Sequence, residues 1–397
     1  MLLMGPRQVG KSTLFAHLFG AGAKHIVFDP VLDVGNARQD PDFFLDQYPP
    51  PVILDEVQYA PELLGAIKRR IDRQPAPGQY FLTGSQNLAL LKHVSESLAG
   101  RVLVLDLGSM TLSELRGCGQ KAGGTWLAAL MDAGTGVPDL NSFQRLMPVS
   151  KEDTILRHLW RGGLPLLLDR TDDLVPDIWA SYVRTYVERD VRALAEVHDQ
   201  QQFSRFIALC AALTAQEVNH SQLGRDIGVT PQTARRWLGV LKATFQWMEV
   251  PPFHGNTIKR ISGRSKGYLA DTGLAAHLQR VSSPVALAGH PLLGALFETW
   301  VAGDLLHRFC LMSTPPQVYH WRSHSGAEVD LVLERDGIFW PIEVKAAGRV
   351  TMADARGIHA FRAAYPHLRH GAGSIVAAVD QTSRLSEDIL VVPCDLP

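Results

Sequence analysis

The chain has 397 residues, 46% of them hydrophobic and 20% charged, the composition of an ordinary globular protein with room for two or three domains. A formal net charge of -1 gives no global attraction to nucleic acid or to an anionic membrane, so any such contact must be a local patch. Four widely spaced cysteines without a CxxC pair (Cys118, Cys210, Cys310, Cys394) argue against a disulfide framework or a zinc ribbon and suit a reducing cytosol. The apolar start MLLM is too short for a signal peptide, and no apolar run reaches membrane-spanning length. A cytoplasmic chain with no membrane partner is the expectation.

Residues 1–112 alternate short apolar runs (MLLM, HIVFD, PVILD, QYFLTG, RVLVLDL) with helical stretches, the α/β pattern of a parallel sheet. The first turn, Gly5-Pro6-Arg7-Gln8-Val9-Gly10-Lys11-Ser12, matches G-x-x-x-x-G-K-[ST] and is followed by Thr13 and a helical run. Its glycines let backbone N–H groups turn inward around phosphate oxygens at a helix N-terminus. Lys11 is placed to reach the β- and γ-phosphates of ATP, and Ser12 to ligate Mg²⁺. VILDE, residues 52–56, is an apolar strand ending in two acids. Asp55 is expected to hold the Mg²⁺ through water and Glu56 to polarise the attacking water. YFLTGS, residues 80–85, brings Thr83 or Ser85 to a strand's carboxyl end as a γ-phosphate sensor, or else only as a helix cap or turn residue. Arg101, at the handover from helix to last strand, is either a finger for a neighbouring subunit's nucleotide in a homo-oligomer or a surface arginine.

Residues 117–150 are rich in glycine and small residues and read as an insertion or lid; 151–198 read as helical. SQLGRDIGVTPQTARRWLGVLKATF fits a helix-turn-helix, with Gly228 at the turn and Thr230-Pro231 starting the second helix. Arg235 and Arg236 fall on its outer side, and NTIKRISGRSKGYL is a candidate basic wing. Asp199–Lys266 holds nine Lys/Arg and four Asp/Glu, a local excess suited to a DNA or other nucleic-acid backbone. The plainer reading is a fold that only packs domains together.

EVDLVLERDGIFWPIEVK, residues 328–345, reads as a β-hairpin turning at Asp336-Gly337, because a type I′ turn needs two positive φ angles. Counting outward pairs Arg335 with Ile338, Leu333 with Trp340, Leu331 with Ile342 and Val329 with Val344, with the last three pairs on one apolar face. Asp330 then opposes Glu343, and Glu328 opposes Lys345. Two facing carboxylates repel unless a cation lies between them. A shared Mg²⁺ or Mn²⁺ would answer this, with Glu298 on the preceding helix as a further ligand and Lys345 positioning a metal-bound water. Pro341 implies an edge strand or a non-bonded position. The plainer reading is a salt-bridged surface ladder.

Two resemblances follow from these residues. GPRQVGKSTL, VILDEVQYAPELL, FLTGSQN, SLAGRV, GGLP, YVERDV, SQLGRDIGVTPQTARRWLGVL and YLADTGLAAHL, in this order, resemble a bacterial and archaeal ATPase family that joins an AAA-type P-loop domain to a C-terminal domain of unknown function of DUF 4143 type. The D…E-x-K pattern of Asp330, Glu343 and Lys345, after a Glu298-bearing helix, resembles the PD-(D/E)xK nuclease superfamily. Together they imply a multidomain α/β chain: an AAA+-like P-loop domain over 1–116, an insertion and helical lid over 117–198, a winged helix-turn-helix over 199–284 and a nuclease-like domain over 285–397. The implied activity is ATP hydrolysis coupled to a metal-dependent nuclease-like domain acting on nucleic acid; the alternative is a nucleotide-dependent binding switch with a catalytically silent nuclease-like fold.

Overall fold

The first apolar runs pair as the parallel sheet their alternation with helices predicts. Strands β1 (Leu2–Met4), β2 (Lys24–Val27), β3 (Val52–Asp55), β4 (Tyr80–Gly84) and β5 (Val104–Asp106) lie in the order β2-β3-β4-β1-β5. Every pairing among them is parallel. The computed structural model describes residues 1–28, 34–85, 97–119, 125–186, 200–255, 260 and 263–396. Period-2 alternation sends Leu2, Met4, Val52, Leu54 and Leu82 into one core and Leu3, Ile53 and Phe81 into another, so both faces of the sheet are covered. Such sheets bind ligands outside the carboxyl ends of their strands. The phosphate loop, Asp55-Glu56 and Thr83–Ser85 all lie at that edge.

The middle region is mainly helical. In the pair His220–Ile227 and Pro231–Ala243, Gly228 closes the first helix in the left-handed conformation, at φ 77°. Thr230 caps the second by accepting from the Thr233 N–H. Ala234, Trp237, Leu238 and Leu241 face inward, and Trp237 meets Phe203 and Phe206 edge-on, 5.3 and 5.4 Å between ring centres. Arg235 and Arg236 are exposed. Strands β6 (Gln216–Glu217), β7 (Trp247–Val250) and β8 (Lys266–Leu269) form an antiparallel sheet in the order β6-β8-β7. Residues 256–259 and 261–262 of the candidate basic wing, residues 187–191 of the YVERDV stretch and Gln86-Asn87 lie outside the described residues. Among the described residues no helix is long and apolar enough to cross a membrane.

The last third is a mixed seven-stranded sheet. Its order is β14 (Ser383–Ser386), β15 (Ile389–Pro393), β13 (Gly373–Ala377), β11 (Ile338–Lys345), β10 (Glu328–Arg335), β9 (Gln317–Arg322), with β12 (Arg369–His370) also paired to β11. The helix Leu293–Phe309 covers one face, and Arg356–Ala364 packs on β10 and β11. The hairpin turns at Asp336 (φ 56°) and Gly337 (φ 73°), with Arg335↔Ile338, Leu333↔Trp340 and Leu331↔Ile342 in register as counted.

Two expectations for this hairpin fail at its open end. The β9–β10 register shifts between Val329 and Val332, so Val329 joins Val332 and Phe339 in a separate core instead of sharing the Leu331–Leu333 face. Glu328 meets Arg322 at 3.9 Å on β9, while Lys345 bonds Glu343 on its own strand at 3.1 Å, replacing the Glu328–Lys345 pair. Pro341 sits on an interior strand, in the non-bonded position that is the other expectation for it. It is tolerated because β12 pairs only with Ile338–Phe339 and β13 only with Ile342–Lys345, leaving no ladder bond there to lose.

Residues 125–146, expected as part of an insertion or lid, dock on this sheet instead. Trp126, Leu127, Leu130 and Met131 share a core with Trp340 and Ile342, and Trp340 Nε1 donates to the Gly134 carbonyl at 3.1 Å. Farther along, Arg145 forks onto Asp395 at 2.7 and 2.9 Å.

Candidate nucleotide site and buried acid cluster

The phosphate loop joins β1 to the helix Lys11–Phe19, whose N-cap Gly10 has φ 90°. Gly5 has φ 148°, and a Cβ there would stand 2.0 Å from the Leu107 carbonyl oxygen. Only glycine lets the loop pass under the exit of β5. Arg7, Gln8, Gly10, Lys11, Ser12, Thr13 and Glu56 line an open cleft of about 950 Å³, within the size range of small-molecule sites. Pro6 and Val9 are carried by the same loop, Val9 being buried beneath it. The cleft's far wall is Pro165, Leu166 and Thr185, which the sequence reading did not single out. GGLP, noted only for resemblance, thus ends on a wall residue, Pro165, which faces Gly10 of the phosphate loop. Lys11 Nζ donates to the carbonyls of Gly5 (2.9 Å) and Pro6 (2.7 Å).

At the end of β3, Glu56 takes φ 58°, which non-glycine residues seldom adopt, and its N–H donates to Thr83 Oγ1 at 3.0 Å. Thr83 Oγ1 also bonds Asp55 Oδ1, and His25 Nε2 lies 3.6 Å from Asp55 Oδ2. Ser85 Oγ donates to Glu56 Oε2 at 3.0 Å, joined there by Gln58 Nε2. The two candidate sensors therefore orient the acids: Thr83 bridges Asp55 to the Glu56 backbone, and Ser85 holds the Glu56 carboxylate. The Ser12 hydroxyl and the Asp55 carboxylate are hard oxygens at one strand edge, a donor set that suits Mg²⁺. Arg101 does not line this cleft and forks onto Asp72 of its own chain at 2.5 and 3.1 Å.

The acids of the C-terminal sheet are arranged differently. Lys266 Nζ, on β8, lies 2.6 Å from Glu298 Oε1 and donates to Asp330 Oδ1 at 2.9 Å. The Tyr268 hydroxyl donates to Glu298 Oε1 at 2.8 Å, and the Val344 N–H donates to Asp330 Oδ2 at 2.9 Å. Glu343 points toward the helix Arg356–Ala364, where a Cβ on Gly357 would meet its Oε1 at 2.1 Å, and its Oε2 accepts from Lys345. Among the described residues no three His, Cys, Asp or Glu side chains converge closely enough to hold a metal ion. The expected Glu298–Asp330–Glu343 metal set is thus not assembled, because the shifted register re-aims Asp330 and a lysine ammonium lies between it and Glu298. Burial, and then the Asp330 charge, push the Glu298 carboxyl up to about 8 despite Lys266 and Tyr268. Burial and Asp330 likewise raise Glu343. Burial opposes charge on Asp330 too, but Lys266, Lys345 and the Val344 N–H outweigh it and keep that carboxyl below the usual range. Lys266, counted in the sequence as part of a basic patch, is buried and neutralised here.

Asp271 is one link between the two regions. Asp271, buried just after β8, accepts from Ser109 Oγ at 2.7 Å, from the Gly163 N–H at 3.1 Å and from the Gly273 N–H at 2.8 Å. Ser109 follows β5, Gly163 stands two residues before the cleft-wall residue Pro165, and a Cβ on Gly162 would stand 2.0 Å from Asp271 Oδ1. Burial pushes the Asp271 carboxyl up, opposed by these three donors. The motif YLADTG marks Asp271 as a helix N-cap, which it is, but gives no sign of its partners 108 and 162 residues away.

Three stretches of the chain match known families. Residues 1–116 match the AAA domain family, 152–285 a domain of unknown function (DUF8612) and 293–396 a domain of unknown function (DUF4143). The chain therefore carries an AAA domain at its N-terminus and a DUF4143 domain at its C-terminus. The uncharacterized proteins Rv2008c of Mycobacterium tuberculosis and Mb2031c of Mycobacterium bovis are each 28% identical over 398 residues, spanning 100% of this chain and 80% of theirs. Among solved structures, the RuvB Holliday junction branch migration motor of Thermotoga maritima aligns at 20% identity over 63% of this chain and 81% of its own, with a TM-score of 0.30. Protein VC1899 of Vibrio cholerae aligns at 10% identity over 99% of this chain and 94% of its own, with a TM-score of 0.18.

Proposed function

We propose that this chain is an ATP-hydrolysing binding switch, in which the nucleotide cleft is read by the segment Gly162–Leu166, whose Pro165 and Leu166 wall it, and passed through Asp271 to the C-terminal half. The observation that carries this reading is the Asp271 carboxylate, bonded at once to the β5 exit through Ser109 and, through Gly163, to the turn that leads into the wall residues Pro165 and Leu166. ATP lies along the Gly5–Thr13 loop, with the backbone N–H groups and the Lys11 ammonium on its phosphates. A fully charged phosphate draws Lys11 from the two loop carbonyls that hold it. Ser12 and Asp55 hold Mg²⁺, which when bound neutralises charge developing on the phosphates. Glu56, fixed by Ser85 and Gln58, orients and polarises the attacking water. Arg101 has no part in this reading, since its guanidinium is committed to Asp72.

The test is hydrogen exchange on the full chain with and without a non-hydrolysable ATP analogue and Mg²⁺. Protection is expected at residues 162–166 and across β8 as well as at the phosphate loop, and the β8 part is expected to vanish in Asp271→Asn. Protection confined to residues 1–106 would mean that the nucleotide state is not transmitted.

A nucleic-acid partner is the second reading, favoured by the exposed Arg235 and Arg236 on the second helix of the helix-turn-helix. Replacing both by alanine is expected to weaken duplex binding and to lower the salt slope of log K by about 2. An unchanged slope in a salt titration assigns these arginines to solvent.

A further inference from the structure

We infer that the Lys266 ammonium is the built-in cation of the C-terminal acid cluster, occupying the place a divalent metal would take between Glu298 and Asp330. Its Nζ is within 2.6 Å of one carboxylate and 2.9 Å of the other, and all three side chains are withdrawn from solvent. The remaining contacts complete an ammonium's surroundings and not a metal's. Tyr268 already donates to the Glu298 oxygen that Lys266 touches, and the Val344 N–H takes the second Asp330 oxygen. Mg²⁺ or Mn²⁺ needs several oxygen ligands turned toward it, with water filling the rest of its shell. Here N–H and O–H donors hold those oxygens, and Glu343 is paired to Lys345 on the side of the helix Arg356–Ala364.

Lys266 is no incidental neighbour. It starts β8, is 64 residues from Asp330 in sequence, and is held by antiparallel pairing with Glu217 and Val250. Its stem fills the space its charge crosses to reach the acids. The acid cluster is therefore a tie between β8 and the C-terminal sheet, and its pattern of Asp, Glu and Lys no longer serves metal-dependent cleavage.

The inference is tested with nucleotide-free full-length protein, by Mn²⁺ titration followed by calorimetry and electron paramagnetic resonance. Wild type is expected to bind no Mn²⁺ that depends on Asp330. Lys266→Met, which keeps the stem and removes the charge, is expected to lower the melting temperature, because Asp330 is left buried without its cation. Adding Asp330→Asn to that variant should recover a large part of the loss. The inference is overturned if wild type binds a Mn²⁺ lost in Asp330→Asn, or if folded Lys266→Met is as stable as wild type. Should Lys266→Met not fold, recovery of folding in the double variant with Asp330→Asn supports the inference and its absence overturns it. A Mn²⁺ held at Ser12 and Asp55 is set apart because Asp330→Asn leaves it unchanged.

Discussion

Glu56→Gln is expected to slow ATP hydrolysis by about 10²- to 10⁴-fold while leaving nucleotide binding within a few-fold of wild type. The substitution keeps the side chain's shape and an oxygen that can accept from Ser85 Oγ. It removes the charge that draws a proton from the attacking water. Lys11, Ser12 and Asp55 are untouched, so the contacts that hold the phosphates and the metal remain. The backbone of Glu56 should also remain, because its φ of 58° is set by the tight passage from β3 and by the N–H bond to Thr83, not by the carboxylate. Steady-state phosphate release, compared with titration of a non-hydrolysable analogue, separates the two effects. Hydrolysis within tenfold of wild type would place the water-activating group elsewhere than on Glu56, and Asp55 beside it is already engaged by Thr83 and His25.

Lys266→Ala should be the most damaging single change to stability, costing about 3–5 kcal/mol at neutral pH, the usual consequence of stripping one partner from a buried ion pair. The alanine leaves Asp330 buried without its cation and empties the space of the lysine stem. Denaturant unfolding gives the size directly. A second substitution, Asp330→Asn, should recover a large part of the loss, since two neutral partners bury no isolated charge. Equal losses in the single and double variants would mean that the stem, not the ammonium, supplies the stability. The cluster also sets a pH dependence of known sign. Glu298, pushed up to about 8 in the folded chain, would release its proton near about 4.3 when unfolded. Between those values the folded state binds more protons, so this group's contribution to stability falls as pH rises through the window and is lost above about 8. Lys266→Ala should steepen the decline, and Glu298→Gln should flatten it.

Both predictions rest on features of unequal visibility in the sequence. The strand–loop–helix spacing of Gly5–Ser12 and the VILDE run mark the nucleotide edge because each lies within one turn or one strand. The hairpin register follows from Asp336-Gly337 for the same reason, and it holds as far as Leu331↔Ile342. It fails two residues farther on, where β9 shifts register against β10, and β9 is not part of the hairpin. The jobs of Thr83 and Ser85 were legible only as "polar at a strand end". Which acid each one holds depends on the neighbouring strand β3.

By itself the sequence determined the layered α/β N-terminal domain, the phosphate loop, the helix pair about Gly228 and the existence of a hairpin rich in acids, because periodicity and turn chemistry act over a few residues. Tertiary structure alone decided what neutralises those acids and what walls the cleft. Lys266 reads as one more basic residue until β8 carries it to Asp330, and Asp271 as one more helix cap until Ser109 and Gly163 close on it. A buried charge is defined by whatever the fold brings within about 3–4 Å, and separation along the chain places no limit on that partner.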